Sequence, residues 1–188
     1  ENVEVAYSDQ KTAVVKKEIS VTDERQKVSI TVEKQDQETG KTVAGAVFGI
    51  YNSKDIKSAD GKLLVKADTL LQKMTSDEEG QAVCTLDLPL GSYYVKELEA
   101  PDGYVSSDEV LTFDASYQGQ DVQTVTLKSV KKNQPTTVEI TKSDVTTGVE
   151  LDGAYLKVTD KDGNVVDSWT SSKDAPHVIK YLKGGETY

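Results

Sequence analysis

The chain has 188 residues, a formal net charge of −10, and 29% charged against 36% hydrophobic residues. That acidity disfavours nucleic acid and anionic membrane surfaces as partners, and no apolar run approaches the ~20 residues of a membrane span. One cysteine and one histidine exclude an intramolecular disulfide, a His/Cys metal cluster and a Cys–His dyad, and no motif implies a cofactor.

Val and Thr are plentiful and the pattern is one of strands. The chain opens at Glu1 without an initiator Met or a signal peptide, and reads as a mature chain or a fragment. Residues 7–24 form a Val/Thr-rich stretch ending in the alternation Ile19, Val21, Asp23. Val28, Ile30, Val32 and Lys34 then share one face of a strand, opposite Ser29, Thr31 and Glu33. Residues 52–80, with "DIKSADGKLLVKADTLLQKM", predict a hairpin plus a short helix. Cys84 alternates with Ala82 and Leu86 and reads as a small core residue. In "GSYYVKELEAPDGYV" (91–105), Tyr93, Val95 and Glu97 share a face before a turn at Ala100-Pro101-Asp102-Gly103. Val125 and Leu127 share parity with Asn133, whereas Val130 breaks it and predicts a bulge. Val138, Ile140 and Lys142 repeat the alternation. "VTDKDGNVVDSW" (158–169) predicts a hairpin around Asp162-Gly163, and its "DKDGN" lacks the ligand spacing of a calcium loop. His177 reads as structural.

The chain repeats itself. "VEKQDQETGKTVAGA" (32–46) and "ITKSDVTTGVELDGA" (140–154) match without a gap, with Lys34, Asp36, Thr39, Gly40, Gly45 and Ala46 falling on Lys142, Asp144, Thr147, Gly148, Gly153 and Ala154. A weaker match lays residues 7–24 over 117–134 and Asp23 over Asn133. The expected organisation is therefore residues 1–24 as the end of one repeat, 25–135 as a complete repeat, and 136–188 as the start of another, in a window of a longer tandem array. Each complete repeat is expected to be a β-sandwich of immunoglobulin-like size with seven or more strands.

Within this frame a Lys, a Glu and an Asn (or Asp) each occupy a core-facing strand position. Buried Lys and Glu are rare unless paired, and their complementary chemistry suggests that they meet. Two readings follow. In one, Lys34 and Glu97 form a buried salt bridge with Asn133 hydrogen-bonded to both. In the other, apolar surroundings disfavour both charges, a proton passes from Lys34 to Glu97, and the free amine attacks the Asn133 side-chain amide. Glu97 donates to the Asn133 carbonyl and shuttles the proton as ammonia leaves.

"ITVEKQDQETGKTVAGAVFGIY", "LPLGSYYVKELEAPDGYV" and "KNQP" together resemble the Cna-B-type (SpaA-like) repeats of Gram-positive surface proteins and pilins. The resemblance covers nearly the whole chain. It implies an all-β fold of tandem prealbumin-like, immunoglobulin-like sandwiches. It also implies a spontaneous isopeptide bond between Lys34 and Asn133, with Glu97 as the catalytic acid. Lys142 matches the lysine of the following repeat. Asp23 matches the acceptor of the preceding one, although Glu24-Arg25 follows it where the family often has x-Pro.

The implied role is a structural stalk or spacer of an extracellular, cell-wall-anchored adhesin or pilus-like protein. It is not an enzyme, because the bond forms once without turnover. The implied partners are neighbouring repeats. The alternatives are a ligand-binding module that contacts host matrix protein or glycan, and a sortase-polymerised pilin subunit. Residues 165–188 are expected to be loose, or paired with residues 13–24 of another molecule, because the closing strands of their repeat are missing from the sequence.

Overall fold

The computed structural model describes residues 24–188. Nine strands run through the first part of the chain: β1 (Lys27–Asp36), β2 (Val47–Asn52), β3 (Ile56–Lys57), β4 (Leu63–Val65), β5 (Leu70–Thr75), β6 (Gln81–Val83), β7 (Gly91–Glu99), β8 (Val110–Ala115) and β9 (Thr124–Asn133). Four more follow: β10 (Thr137–Ile140), β11 (Tyr155–Thr159), β12 (Val165–Thr170) and β13 (His177–Lys180). The fold is all-β, and among the described residues no helix is long and apolar enough to cross a membrane.

Two sheets make the sandwich, a three-stranded one in the order β6-β1-β9 and a four-stranded one in the order β5-β2-β7-β8. Their inner faces follow the alternation of the sequence. Val28, Ile30 and Val32 of β1 meet Phe48 and Ile50 of β2, Tyr93 and Val95 of β7, Phe113 of β8 and Val125 of β9 in one core. Tyr93 is buried in this core because its hydroxyl finds a partner, the Pro89 carbonyl at 2.6 Å.

The central strand β1 pairs antiparallel with β6 and parallel with β9. The parallel ladder runs without a register shift from Lys27 opposite Thr124 to Asp36 opposite Asn133. The first and last strands are therefore neighbours in one sheet. A bulge near Val130 does not occur. Val130 points outward, 44% exposed, and the inward position belongs to Lys131. A β-branched residue suits the solvent side of a strand as well as the core side, so apolar character alone misleads there.

Residues 52–80 form the β3–β4 hairpin and then β5, which pairs with β2. The expected short helix is absent, because Leu70, Leu71, Gln72, Lys73 and Met74 extend the sheet edge instead. Cys84 is buried against the core as expected, but Leu86 is exposed and the alternation ends before it. The hairpin at Asp162-Gly163 forms between β11 and β12, with Asp160 accepting from the N–H groups of Asp162 and Asn164 at 2.9 Å each.

Replacing Phe48, which is fully buried, by Ala is expected to destabilise the sandwich by about 3–5 kcal/mol. Val130→Thr on the outer face is expected to stay within about 0.5 kcal/mol. Urea midpoints at constant m-value check both, and a large cost at Val130 would restore the bulge.

Candidate functional site

Parallel pairing decides where the polar inner residues sit. In a parallel ladder, residues directly opposite one another point to the same side of the sheet. Lys34 lies opposite Lys131, and Asp36 lies opposite Asn133. All four are inward and buried, with Lys34 0% and Asn133 1% exposed. Lys34 and Asn133 are thus one same-face step apart on adjacent strands.

Glu97 approaches from the opposite sheet. It faces Phe48 across the β2–β7 ladder, just where the register slips between Val47 and Phe48. This bulge breaks the alternation immediately after Glu97 and releases the chain into the turn. Pro101 is buried, the Tyr104 N–H closes the turn on the Pro101 carbonyl at 3.1 Å, and Gly103 takes φ +81°. Only glycine adopts that φ freely, and a Cβ there would also lie 2.7 Å from the Tyr181 carbonyl. The turn then lies along the end of β9. The Val105 N–H donates to the Gln134 carbonyl at 2.9 Å, and the Thr136 N–H donates to the Gly103 carbonyl at 2.8 Å. The Ala-Pro-Asp-Gly-Tyr and Asn-Gln-Pro segments therefore fit each other, which brings Glu97 and Asn133 together.

The Asn133 Nδ2 donates to both Glu97 carboxylate oxygens, at 2.8 and 2.7 Å. The Ser107 N–H donates to Glu97 Oε2 at 3.0 Å. Among the described residues the Asn133 carbonyl oxygen is buried without a hydrogen-bond partner. Donation from Glu97 to that carbonyl is not the arrangement present, because a carboxylate only accepts and draws the amide NH₂ instead. Nor is there a Lys34–Glu97 ion pair: among the described residues the hydrogen-bond acceptor of Lys34 Nζ is the Gln35 carbonyl, at 3.2 Å. The ammonium also stands 5.5 Å from the centre of the Tyr104 ring. Burial lowers the Lys34 pKa from 10.5 to about 8. Glu97 pulls it back up, Lys131 pushes it further down, and Asp36 raises it.

Asp36 closes the site on the other side. Its carboxylate accepts from the N–H groups of Glu38 and Thr39 at 2.8 and 2.7 Å, and from the hydroxyls of Tyr104 and Tyr181 at 3.0 Å each. Tyr181 belongs to the second part of the chain and packs edge-on against Tyr104, with ring centres 5.6 Å apart. Around it, Lys180 pairs with Glu38, Lys183 pairs with Asp102 at 3.1 Å, and Thr136 Oγ1 donates to the Leu182 carbonyl at 2.6 Å. Tyr181 adopts φ +66°, an uncommon conformation for a tyrosine, held by these contacts. Residues 180–183 are thus fastened to the preceding sandwich, where the sequence suggests a loose end.

Lys142 matches Lys34 only locally. Its Nζ reaches the Ser143 carbonyl at 3.1 Å, as Lys34 reaches that of Gln35, but it is half-buried. Asp23 lies outside the described residues. His177 stacks on Trp169, ring centres 4.2 Å apart, with its Nε2 2.8 Å from Asp167 Oδ2. Sequence reasoning missed Lys131, Ser107, Asp36 and Tyr181. Strand parity pointed to Lys131 and Asp36, since each is two residues from a marked inward position. Ser107 and Tyr181 carry no comparable signal.

A two-sheet β-sandwich whose first and last strands pair in parallel, with Lys34 and Asn133 buried beside a partly buried Glu97, defines a prealbumin-like module. The chain belongs to the SpaA prealbumin-like fold domain family, whose model matches residues 28–131 and again 136–188. It is similar to the Bacillus anthracis TIE protein, at 27% identity and a TM-score of 0.50, over 82% of this chain and 26% of that one. The group B streptococcus pilus 2b backbone protein shares 21% identity at a TM-score of 0.44, over 59% of this chain and 42% of that one. The full-length major pilin SpaD from Corynebacterium diphtheriae shares 23% identity at a TM-score of 0.44, over 65% of this chain and 34% of that one. The chain thus spans less than half the length of each. No curated protein matches it.

Burial would raise the Asp36 carboxyl, but hydrogen bonds from Thr39, Tyr181, Tyr104 and Glu38 outweigh it and hold the pKa at about 2, below the ordinary 3.8. A folded-state pKa below the unfolded one means that the contribution of Asp36 is complete above about pH 4 and lost as the pH falls through about 2. Tyr181→Phe is expected to move the Asp36 pKa toward 3.8, read by carboxyl-carbon NMR titration. An unmoved pKa would mean that Tyr181 does not reach Asp36 in solution.

Proposed function

We propose that residues 25–135 are a self-cross-linking stalk module, followed at residues 136–188 by the beginning of a second one. The host would be a surface or pilus-like protein, outside the cell and anchored to a Gram-positive-type wall. One observation carries this reading: Lys34 and Asn133 are buried on the same face of adjacent strands, with a carboxyl group on the amide nitrogen that would have to leave. Family membership supports the same assignment.

The chemistry is as follows. Lys34 Nζ loses a proton to Glu97 and attacks Asn133 Cγ. The Nζ–Cγ bond forms, the Cγ–Nδ2 bond breaks, and Nδ2 departs with a further proton as ammonia. Glu97 lies 2.8 and 2.7 Å from Nδ2, so a proton taken from the nucleophile has a short path to the leaving nitrogen. Burial that lowers the Lys34 pKa to about 8 leaves a useful fraction of free amine at neutral pH. Lys142 and Asp23 would serve the neighbouring repeats.

The product is an amide joining the first strand to the last. Load entering at β1 then leaves at the end of β9 through covalent bonds and bypasses the hydrophobic core. Neighbouring repeats are the partners, fastened through the Asp36–Tyr181 contact. The β3–β4 hairpin exposes Leu63 and Leu64 but presents no aromatic platform, so ligand binding takes second place to the stalk role.

Intact-mass measurement tests the bond. The purified chain is expected one ammonia lighter than its sequence mass, and Lys34→Ala, Asn133→Ala and Glu97→Ala at full mass. A chain at full mass would overturn the proposal. The cross-link closes a loop of roughly 100 residues, which on the chain-entropy model of disulfides is worth ~4.7 kcal/mol. The Asn133→Ala chain is expected to melt correspondingly lower in calorimetry, and to be cut faster by protease.

A further inference from the structure

Lys131 is a second lysine at the same site. It stands directly opposite Lys34 in the β1–β9 ladder and is 1% exposed. Two ammonium groups side by side in a buried setting repel each other, and one gives up its proton more readily. The acceptors decide which. Lys131 Nζ donates to Ser107 Oγ at 2.8 Å, to the Glu109 carbonyl at 3.0 Å and to the Glu109 carboxylate at 2.9 Å. Among the described residues Lys34 Nζ donates to one carbonyl. Lys131 Nζ is therefore the better satisfied of the two, and deprotonation falls to Lys34.

Ser107 adds a second link. Its hydroxyl binds Lys131 while its N–H donates to Glu97 Oε2 at 3.0 Å. Lys131 thus fixes the segment that holds the carboxyl group against Asn133.

We propose that Lys131 is a positioning residue for cross-link formation, which keeps its own charge beside Lys34 so that Lys34 reacts as the free amine, and which anchors Ser107 so that Glu97 stays on the Asn133 amide. This inference rests on the cross-linking reading given above. Lys131 lowers the Lys34 pKa in the same direction as burial, against Glu97 and Asp36. The charged and titratable groups facing Lys34 are Glu97, Lys131, Asp36 and Tyr104, and those facing Lys131 are Glu109 and Lys34.

The test uses the full chain, synthesised into denaturant so that it starts unreacted, then diluted to fold. Ammonia loss is followed by intact mass against time from pH 5 to pH 10. In the unsubstituted chain the rate is expected to rise with pH and level off near pH 8. Lys131→Met keeps the aliphatic stem and removes the charge. Its rise is expected to shift to higher pH, with the rate at pH 7 lowered about 3- to 10-fold for a shift of roughly half to one unit. Lys131→Arg is expected to recover most of that loss. Glu109→Gln serves as a second variant whose folding is secure, because the Glu109 side chain is 64% exposed. Weakening the hold on the Lys131 charge is expected to shift the profile in the same direction. Unaltered profiles in both Lys131→Met and Glu109→Gln, with ammonia still lost, would overturn this inference and leave the cross-link standing. No ammonia loss from the unsubstituted chain would overturn the cross-link itself.

Discussion

Burial of four polar side chains between two parallel neighbours, β1 and β9, is the constraint on which the rest of this structure depends. Lys34, Asp36, Lys131 and Asn133 all project into the end of the sandwich. Each would cost several kcal/mol there if left unpartnered. The surrounding chain is arranged to supply partners, with the 101–109 segment giving Ser107 and Glu109 to Lys131, β7 giving Glu97 to Asn133, and the turn after β1 giving two N–H groups to Asp36. Among the described residues one atom is left over, the Asn133 carbonyl oxygen. One cation, Lys34, is poorly satisfied. The polar atoms of this cluster are thus satisfied unevenly, the Asn133 amide nitrogen by two short hydrogen bonds and Lys34 Nζ by one carbonyl.

The same end of the sandwich is where the second part of the chain docks. Asp36 takes hydroxyls from both Tyr104 and Tyr181, and Tyr104 also presents its ring to Lys34. The junction and the Lys34–Asn133–Glu97 cluster therefore share residues. Ion pairs at the rim, Lys180 with Glu38 and Lys183 with Asp102, are exposed and contribute little energy. They set register more than strength.

The two copies of the repeated segment separate local from tertiary effects. The turns after Lys34 and Lys142 are alike: Asp36 and Asp144 each accept from the two N–H groups that follow, Gly40 and Gly148 take φ +71° and +70°, and each lysine reaches the carbonyl of the next residue. Ala46 and Ala154 each donate to a serine hydroxyl, that of Ser76 and that of Ser171. Yet Lys34 is fully buried and Lys142 half-exposed. Identical local chemistry yields a candidate nucleophile in one copy and an ordinary surface lysine in the other. The difference is the second sheet and the ninth strand that cover Lys34.

By itself the sequence determined whatever depends on neighbours along the chain. Alternation placed Lys34 and Glu97 on inward faces, Asp-Gly and Pro-Asp-Gly marked turns, and the repeated Lys-x-Asp-x-x-Thr-Gly segment marked tandem organisation, because a strand's two-residue period and a turn's φ requirement are local properties. Tertiary structure alone decided the rest. Val130 and Lys131 could exchange faces on paper, and only the unbroken β1–β9 register put the lysine inside. The stretch at 70–74 has the composition of a helix but was captured by the edge of β2. Tyr181 found Asp36 across a long separation in sequence. Each of these outcomes is fixed by which surfaces meet after folding, where burial and pairing outweigh the weak local preference of any single residue.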